Sequence, residues 1–200
     1  MTMPTDLLYL RDMTTSAASA PSDALDTKFH SLLNDQIRSE LGASQQYLAI
    51  AVYFDGADLP QLAKVFYRQS VEERNHAMML VRYLLDRGVT TEIPAVDPVR
   101  NDFGSARDAI ALALDLERSV TDQISRLAAT ARDEGDYLGE QFMQWFLKEQ
   151  VEEVALMTTL VRIAERAGSD LFRLEDFVAR EVPASSGDDA SAPAVAGGAL

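Results

Sequence analysis

Apolar residues return at steps of three and four in four long stretches of the chain, which is the period of an amphipathic α-helix. Phe29, Leu33, Ile37, Tyr47, Ala51 and Phe54 share one face of the first stretch, and Leu62, Phe66, Leu80 and Leu84 one face of the second. Ala106, Ile110, Ala113, Val120, Ile124, Leu127 and Ala131 form the stripe of the third, and Phe142, Phe146, Met157, Leu160 and Ala164 that of the fourth. Punctuation sets the limits. The first helix is predicted over 23–54 and ends at Asp55-Gly56. Asp58 caps the second, with Pro60 tolerated in its first turn, and Gly88 closes it. The third opens at Ser105, where Ser105-Ala106-Arg107-Asp108 resembles a capping box, and ends near Gly135. The fourth runs over 136–167 to Gly168, after which Ser169 caps a short fifth helix over 170–181.

The loop at 55–58 is too short for anything but an antiparallel pair. The stretch from Val89 to Gly104 is different, because Pro94 and Pro98 prevent a long helix there. About sixteen extended residues reach roughly 50 Å, comparable to the ~45 Å length of a 30-residue helix, so this connection can cross the whole bundle. The predicted fold is all-α: a four-helix bundle with a long crossover between the second and third helices and a short C-terminal fifth helix. Residues 23–181 form the domain. Residues 1–22 and 182–200, rich in Ser, Ala and Pro and without periodicity, are expected to be disordered extensions.

Composition narrows the chemistry. Thirty-two acidic against 18 basic residues give a formal charge of −14, which removes the usual drive for nucleic-acid binding and makes cations natural partners. There is no Cys, so a metal must be held by oxygen and nitrogen. The longest apolar run in the first twenty residues, Leu7 to Leu10, is too short for a signal-peptide core. No segment reaches the roughly 20 apolar residues of a membrane span, so a cytoplasmic protein with neither membrane nor nucleic-acid partners is expected.

Charge also sits where it should not. Glu40 interrupts the first stripe, Glu73 and His76 the second, Glu117 the third, and Gln150 and Glu153 the fourth. Every interruption is mid-helix and at core phase, and no Lys or Arg shares the stripes. Isolated buried carboxylates cost several kcal/mol each and repel one another, so cations must compensate them. The spacing repeats: Glu40 to Glu73 is 33 residues (73 − 40), as is Glu117 to Gln150 (150 − 117). Glu40 to His76 and Glu117 to Glu153 are both 36 (76 − 40 and 153 − 117), which implies two hairpins about an approximate two-fold axis through a metal pair.

The pattern resembles the di-iron carboxylate proteins, with one Glu from each of two helices and Glu-x-x-His from the others. Here the second motif reads Gln150-x-x-Glu153, which is similar to prokaryotic non-haem ferritins and unlike bacterioferritins. Arg74 stands near the position of a haem-ligating Met in bacterioferritins, so no haem is expected, and Met78, Met79, Met143 and Met157 are read as packing residues. The resemblance covers about residues 24 to 181, through Glu72-Glu73-Arg74-Asn75-His76 and Glu149-Gln150-Val151-Glu152-Glu153. It implies one iron at Glu40, Glu73 and His76, a second at Glu73, Glu117 and Glu153 with Glu73 bridging, and Gln150 beside them. It also implies a third position at Glu72, Glu149 and Glu152, and a tyrosine near the centre, Tyr47. The implied activity is oxidation of Fe(II) by dioxygen or peroxide, with the ferric product stored in a homo-oligomeric shell of 24 subunits. A di-iron oxidoreductase or peroxidase, a DNA-protecting mini-ferritin and a non-enzymatic helical module are the alternatives. His30 is read as a surface residue, Asp136 and Glu140 as candidates for an iron-entry pore, and the C-terminal tail as a candidate docking segment for a partner.

Overall fold

The computed structural model describes residues 27–182 and 189–200, so the expected extension over 1–22 lies outside the described residues. Five helices follow in order: α1 (Lys28–Gly56), α2 (Pro60–Asp86), α3 (Ala106–Asp133), α4 (Tyr137–Ala167) and α5 (Leu171–Glu181). The all-α bundle expected from the periodicity is present, with no strand among the described residues. No described helix is long and apolar enough to cross a membrane.

α1 pairs with α2 and α3 with α4, while the crossover joins the two hairpins. Val89 joins the apolar cluster that holds Phe29, at one end of α1, and the ring of Phe103 lies 5.0 Å from that of Tyr53 near the other. Between these ends the extended chain is fastened to α1: Arg38 donates to Ala95 O at 3.0 Å, and Gln46 exchanges two 2.8 Å bonds with the backbone of Arg100. The crossover therefore traverses the bundle, and α3 starts beside the end of α1.

Helix starts differ from expectation in instructive ways. Thr27 caps α1 through His30 N; the expected start at 23 lies outside the described residues. Asp58 does not cap α2, because it takes a left-handed φ of 58° and Leu59 occupies the cap position. The free N–H groups of Gln61 and Leu62 are instead met by both carboxylate oxygens of Glu175 from α5, each at 2.8 Å. Glu134 does the same for Lys28 and Phe29 at the start of α1. A carboxylate supplied from a distant helix satisfies both the orphan donors and the helix dipole. Glu175→Ala is expected to lower stability by about 1–2 kcal/mol, read as a drop of several degrees in the thermal midpoint. Asp170 takes the cap of α5 that was expected of Ser169.

Two apolar clusters fill the bundle. One is built around Phe54, Leu62, Phe66, Ile110 and Leu160, the other around Phe29, Leu33, Leu80, Ile124 and Phe146. His30 is a correction: it is buried in this second half at 2% exposure, with Nε2 3.9 Å from Asp136. Asp136 also caps α4 through Gly139 N and pairs with Arg87 at 3.2 Å, while Glu140 pairs with Arg132. Both acids proposed for a pore thus have partners within the chain. Of the tail expected over 182–200, residues 183–188 lie outside the described residues, and residues 189–200 lie against α2 and α4. Ala192, Val195 and Ala196 pack on the second cluster, and Ala196 N donates to Met78 O at 3.1 Å. Asp189 accepts from Trp145 Nε1 at 3.0 Å. Aperiodic composition did not forecast this docking, because it rests on single contacts to partners distant in sequence.

Candidate metal centre

Between the two apolar clusters lies a polar layer to which each long helix contributes at mid-length. Glu40, Glu73 and Glu117 are each 1% exposed, Gln150 4%, His76 5% and Glu153 6%. Helical phase alone brings Glu73 and His76 together, being one turn apart on α2. Glu40, from α1, joins them, and one ligand atom from each of the three falls within 4.8 Å of the others. His76 Nδ1 stands 3.5 Å from Glu73 Oε2. Its imidazole is held edge-on by Trp145 and Phe146, at ring separations of 5.6 and 5.9 Å.

α3 and α4 supply the other half. Gln150 Nε2 donates to Glu117 Oε2 at 3.4 Å, and Thr121 donates to Gln150 Oε1 at 2.8 Å. The hydroxyl of Tyr47, fully buried, donates to the other oxygen of Glu117. Glu153 accepts from Gln69 at 3.2 Å, and Glu40 from Gln36 at 2.9 Å. All six residues of the stripes, with Tyr47, therefore meet in one layer. The two amides Gln36 and Gln69, each four residues before a buried Glu, were not singled out from sequence, although that repeated spacing was visible.

Electrostatics opposes ionisation of this layer unless a cation enters it. Burial, foremost, and then Glu73 hold the Glu40 carboxyl well above the usual carboxylate range. Burial and then Glu117 do the same to Glu73, and burial raises Glu117. Glu153 is pushed up to about 8 by burial and then by Glu117. Burial and the neighbouring Glu117 likewise push the Tyr47 phenol up. Glu40 Oε2, Glu73 Oε1 and Glu153 Oε2 are buried oxygens with no hydrogen-bond donor. Orphaned acceptors of this kind are costly unless a metal takes the lone pairs. Carboxylates with a single imidazole suit a hard, iron-like ion.

Beside this layer stand the three outer acids. Glu72 and Glu149 are partly buried and Glu152 is exposed. Burial raises the Glu149 carboxyl; His76 opposes this, and Glu152 and Glu72 add to it, so the three form one electrostatic group at the rim.

Comparison with known proteins agrees with this geometry. A family model described as a ferritin-like domain matches residues 30–167. Ferritin BfrB of Mycolicibacterium smegmatis is 75% identical over 179 residues, covering 90% of this chain and 98% of that protein. Ferritin BfrB of Mycobacterium tuberculosis is 68% identical over 177 residues, covering 87% and 96%. A bacterial non-heme ferritin of Staphylococcus aureus is 37% identical, covering 69% and 83%. Among solved structures, an open pore ferritin from Archaeoglobus fulgidus superposes with a TM-score of 0.74 at 30% identity, covering 78% of this chain and 96% of that one. Fold, polar layer and likeness agree, and the chain belongs to the ferritin family.

Proposed function

We propose that this ferritin oxidises Fe(II) at the buried layer and stores the product as Fe(III) mineral inside a shell of its own copies. Iron storage is the family's function. The observation that carries it is the gathering of ligand atoms of Glu40, Glu73 and His76, from α1 and α2, within 4.8 Å of one another, in a buried layer sealed by apolar clusters on both sides. Iron is the substrate. Glu40, Glu73 and His76 would hold one Fe(II), and Glu73, Glu117 and Glu153 the second, with Glu73 common to both.

The chain's own part is to prepare and hold these ligands. Carboxyls that burial keeps protonated give up their protons as Fe(II) enters, so binding releases protons. Tyr47 and Gln150 each donate to one Glu117 oxygen, which fixes the plane of that carboxylate. Trp145 and Phe146 fix the imidazole of His76. Two Fe(II) surrender two electrons, which reduce one dioxygen to hydrogen peroxide or one peroxide to water. Carboxylates retain the harder Fe(III) only until it moves on to the mineral. Glu72, Glu149 and Glu152 would form a third iron position at the rim. A 24-subunit cage in the cytoplasm, without haem, completes the reading.

The test adds Fe(II) aerobically to the metal-free protein while oxygen consumption and particle size are followed. Rapid uptake, with all iron retained in a shell-sized particle, is expected. Oxidation no faster than in buffer would sink the ferroxidase reading, and fast oxidation without an iron-filled particle would favour a di-iron oxidoreductase.

A further inference from the structure

The rim acids Glu72, Glu149 and Glu152 stand on α2 and α4, while the opposite face of the bundle is made by α1 and α3. On that face a pocket of about 140 Å³ is bounded by Asp35, Gln36 and Ser39 from α1 and by Gln123 and Arg126 from α3. Gln36 is its innermost side chain, 3% exposed, and donates through Nε2 to Glu40 Oε1 at 2.9 Å. A single amide thus separates the pocket from a carboxylate of the polar layer. Ser39 and Gln123 also line a second pocket, of about 270 Å³, which continues along the same two helices to the crossover.

Charge sets this face apart from the rim. Asp35 and Arg126 offset each other at the first pocket, and Arg38 lies 4.0 Å from Asp97 at the second, so neither draws a cation. What the face offers is an acceptor: Gln123 Oε1 is buried and receives no hydrogen bond from the described residues. An amide oxygen accepts and cannot donate, so its complement is a small neutral molecule with an O–H group. Hydrogen peroxide has two such groups, and dioxygen has none.

We propose that the pocket between α1 and α3 admits hydrogen peroxide to the iron centre, with Gln123 Oε1 as the acceptor that receives it and Gln36 as the inner door beside Glu40. This deepens the ferroxidase reading, on which it rests, by assigning an oxidant and its entrance. The acids that would handle iron and the pocket that takes peroxide lie on opposite faces, so the two reactants need not pass each other. At the centre the O–O bond breaks as peroxide takes one electron from each of two Fe(II) and two protons from solvent, leaving two Fe(III) and two waters. Water is smaller than peroxide and carries the same donors, so it can leave by the same path.

The test loads the metal-free full-length protein anaerobically with two Fe(II) per subunit and mixes it in stopped flow with hydrogen peroxide or with dioxygen. Anaerobic Co²⁺ titration follows the ligands in parallel. Ser39→Trp, which fills the pocket from a position outside the ligand sets, is expected to lower the second-order rate constant for peroxide by about tenfold or more, while dioxygen and both tight Co²⁺ affinities stay within about threefold of wild type. Gln123→Leu removes the acceptor at nearly constant volume and should raise the peroxide concentration for half-maximal rate about fivefold without changing the maximal rate. Peroxide kinetics unchanged in both variants would overturn the proposal. Equal slowing with dioxygen would make the pocket a general passage and overturn the assignment to peroxide, and weakened Co²⁺ binding in both variants would reduce it to packing. Wild type that reacts fast with dioxygen but not with peroxide would also overturn it. Wild type that oxidises Fe(II) with neither oxidant faster than buffer would instead overturn the ferroxidase reading.

Discussion

Glu73→Ala is expected to slow the initial oxidation of Fe(II) by a factor on the order of 100 or more, beyond the loss usual for a residue that only supports a ligand. Glu73 is the most shared group in the layer. It is within metal-ligand reach of Glu40 and His76, and it feels the charges of Glu117 and Glu153. Removing it takes an oxygen from both proposed iron positions, whereas His76→Ala leaves the second position whole. Stopped-flow absorbance after mixing with Fe(II) and dioxygen reads the rate, and anaerobic Co²⁺ titration reads the occupancy. Both tight ions should be lost in Glu73→Ala, but only one in His76→Ala. An oxidation rate within threefold of wild type in Glu73→Ala would remove the polar layer from the chemistry.

Metal-free protein is expected to gain stability on acidification, with a thermal midpoint at least about 5 °C higher at pH 5.5 than at pH 8.5. The Glu153 carboxyl titrates at about 8 in the folded chain against a reference of 4.5. Below pH 4.5 it is protonated folded or unfolded, and burial costs it nothing extra. As pH rises from 4.5 to about 8, the unfolded chain holds fewer protons than the folded one, so stability falls. Above 8 the penalty is complete. Glu40, Glu73 and Glu117 are shifted in the same direction and add to the effect. The half-buried Asp108 and the exposed Asp189, both held below the usual range by donated hydrogen bonds, lose their contribution only at lower pH. Glu153→Gln isolates the cause, since an amide of the same shape carries no charge: its midpoint should exceed that of wild type at pH 8.5 and vary less with pH. Two equivalents of Co²⁺ should reverse the trend, because bound ligands must be ionised. A metal-free midpoint independent of pH between 5.5 and 8.5 would contradict the buried acids' protonation.

Much of this centre was legible in one dimension because an α-helix converts sequence spacing directly into direction. Glu40, Glu73, His76, Glu117, Gln150 and Glu153 could be assigned to inner faces from phase alone, and all are buried in one layer. Tyr47 stands on the same stripe, but its place beside the centre was implied by the resemblance and not by phase. His30 was misjudged, as phase at a helix start says little about what a neighbouring turn will cover. Asp58 was misjudged because a carboxylate before a helix is a plausible cap only while the backbone there is extended, and its φ of 58° removes that role.

The sequence by itself determined the helices, their order, the long crossover and the depth at which each residue of the polar layer sits. Those depend on local period, turn residues and chain length. Only the tertiary structure decided the rest: that Glu175 and Glu134 cap helices more than a hundred residues away, that residues 189–200 dock beside Trp145, and that the Gln69 amide spans from Glu153 to Glu72. The reason is physical. A hydrogen bond reaches about 3 Å and carries no periodic trace along the chain, so its partner is known only once separate helices have been placed side by side.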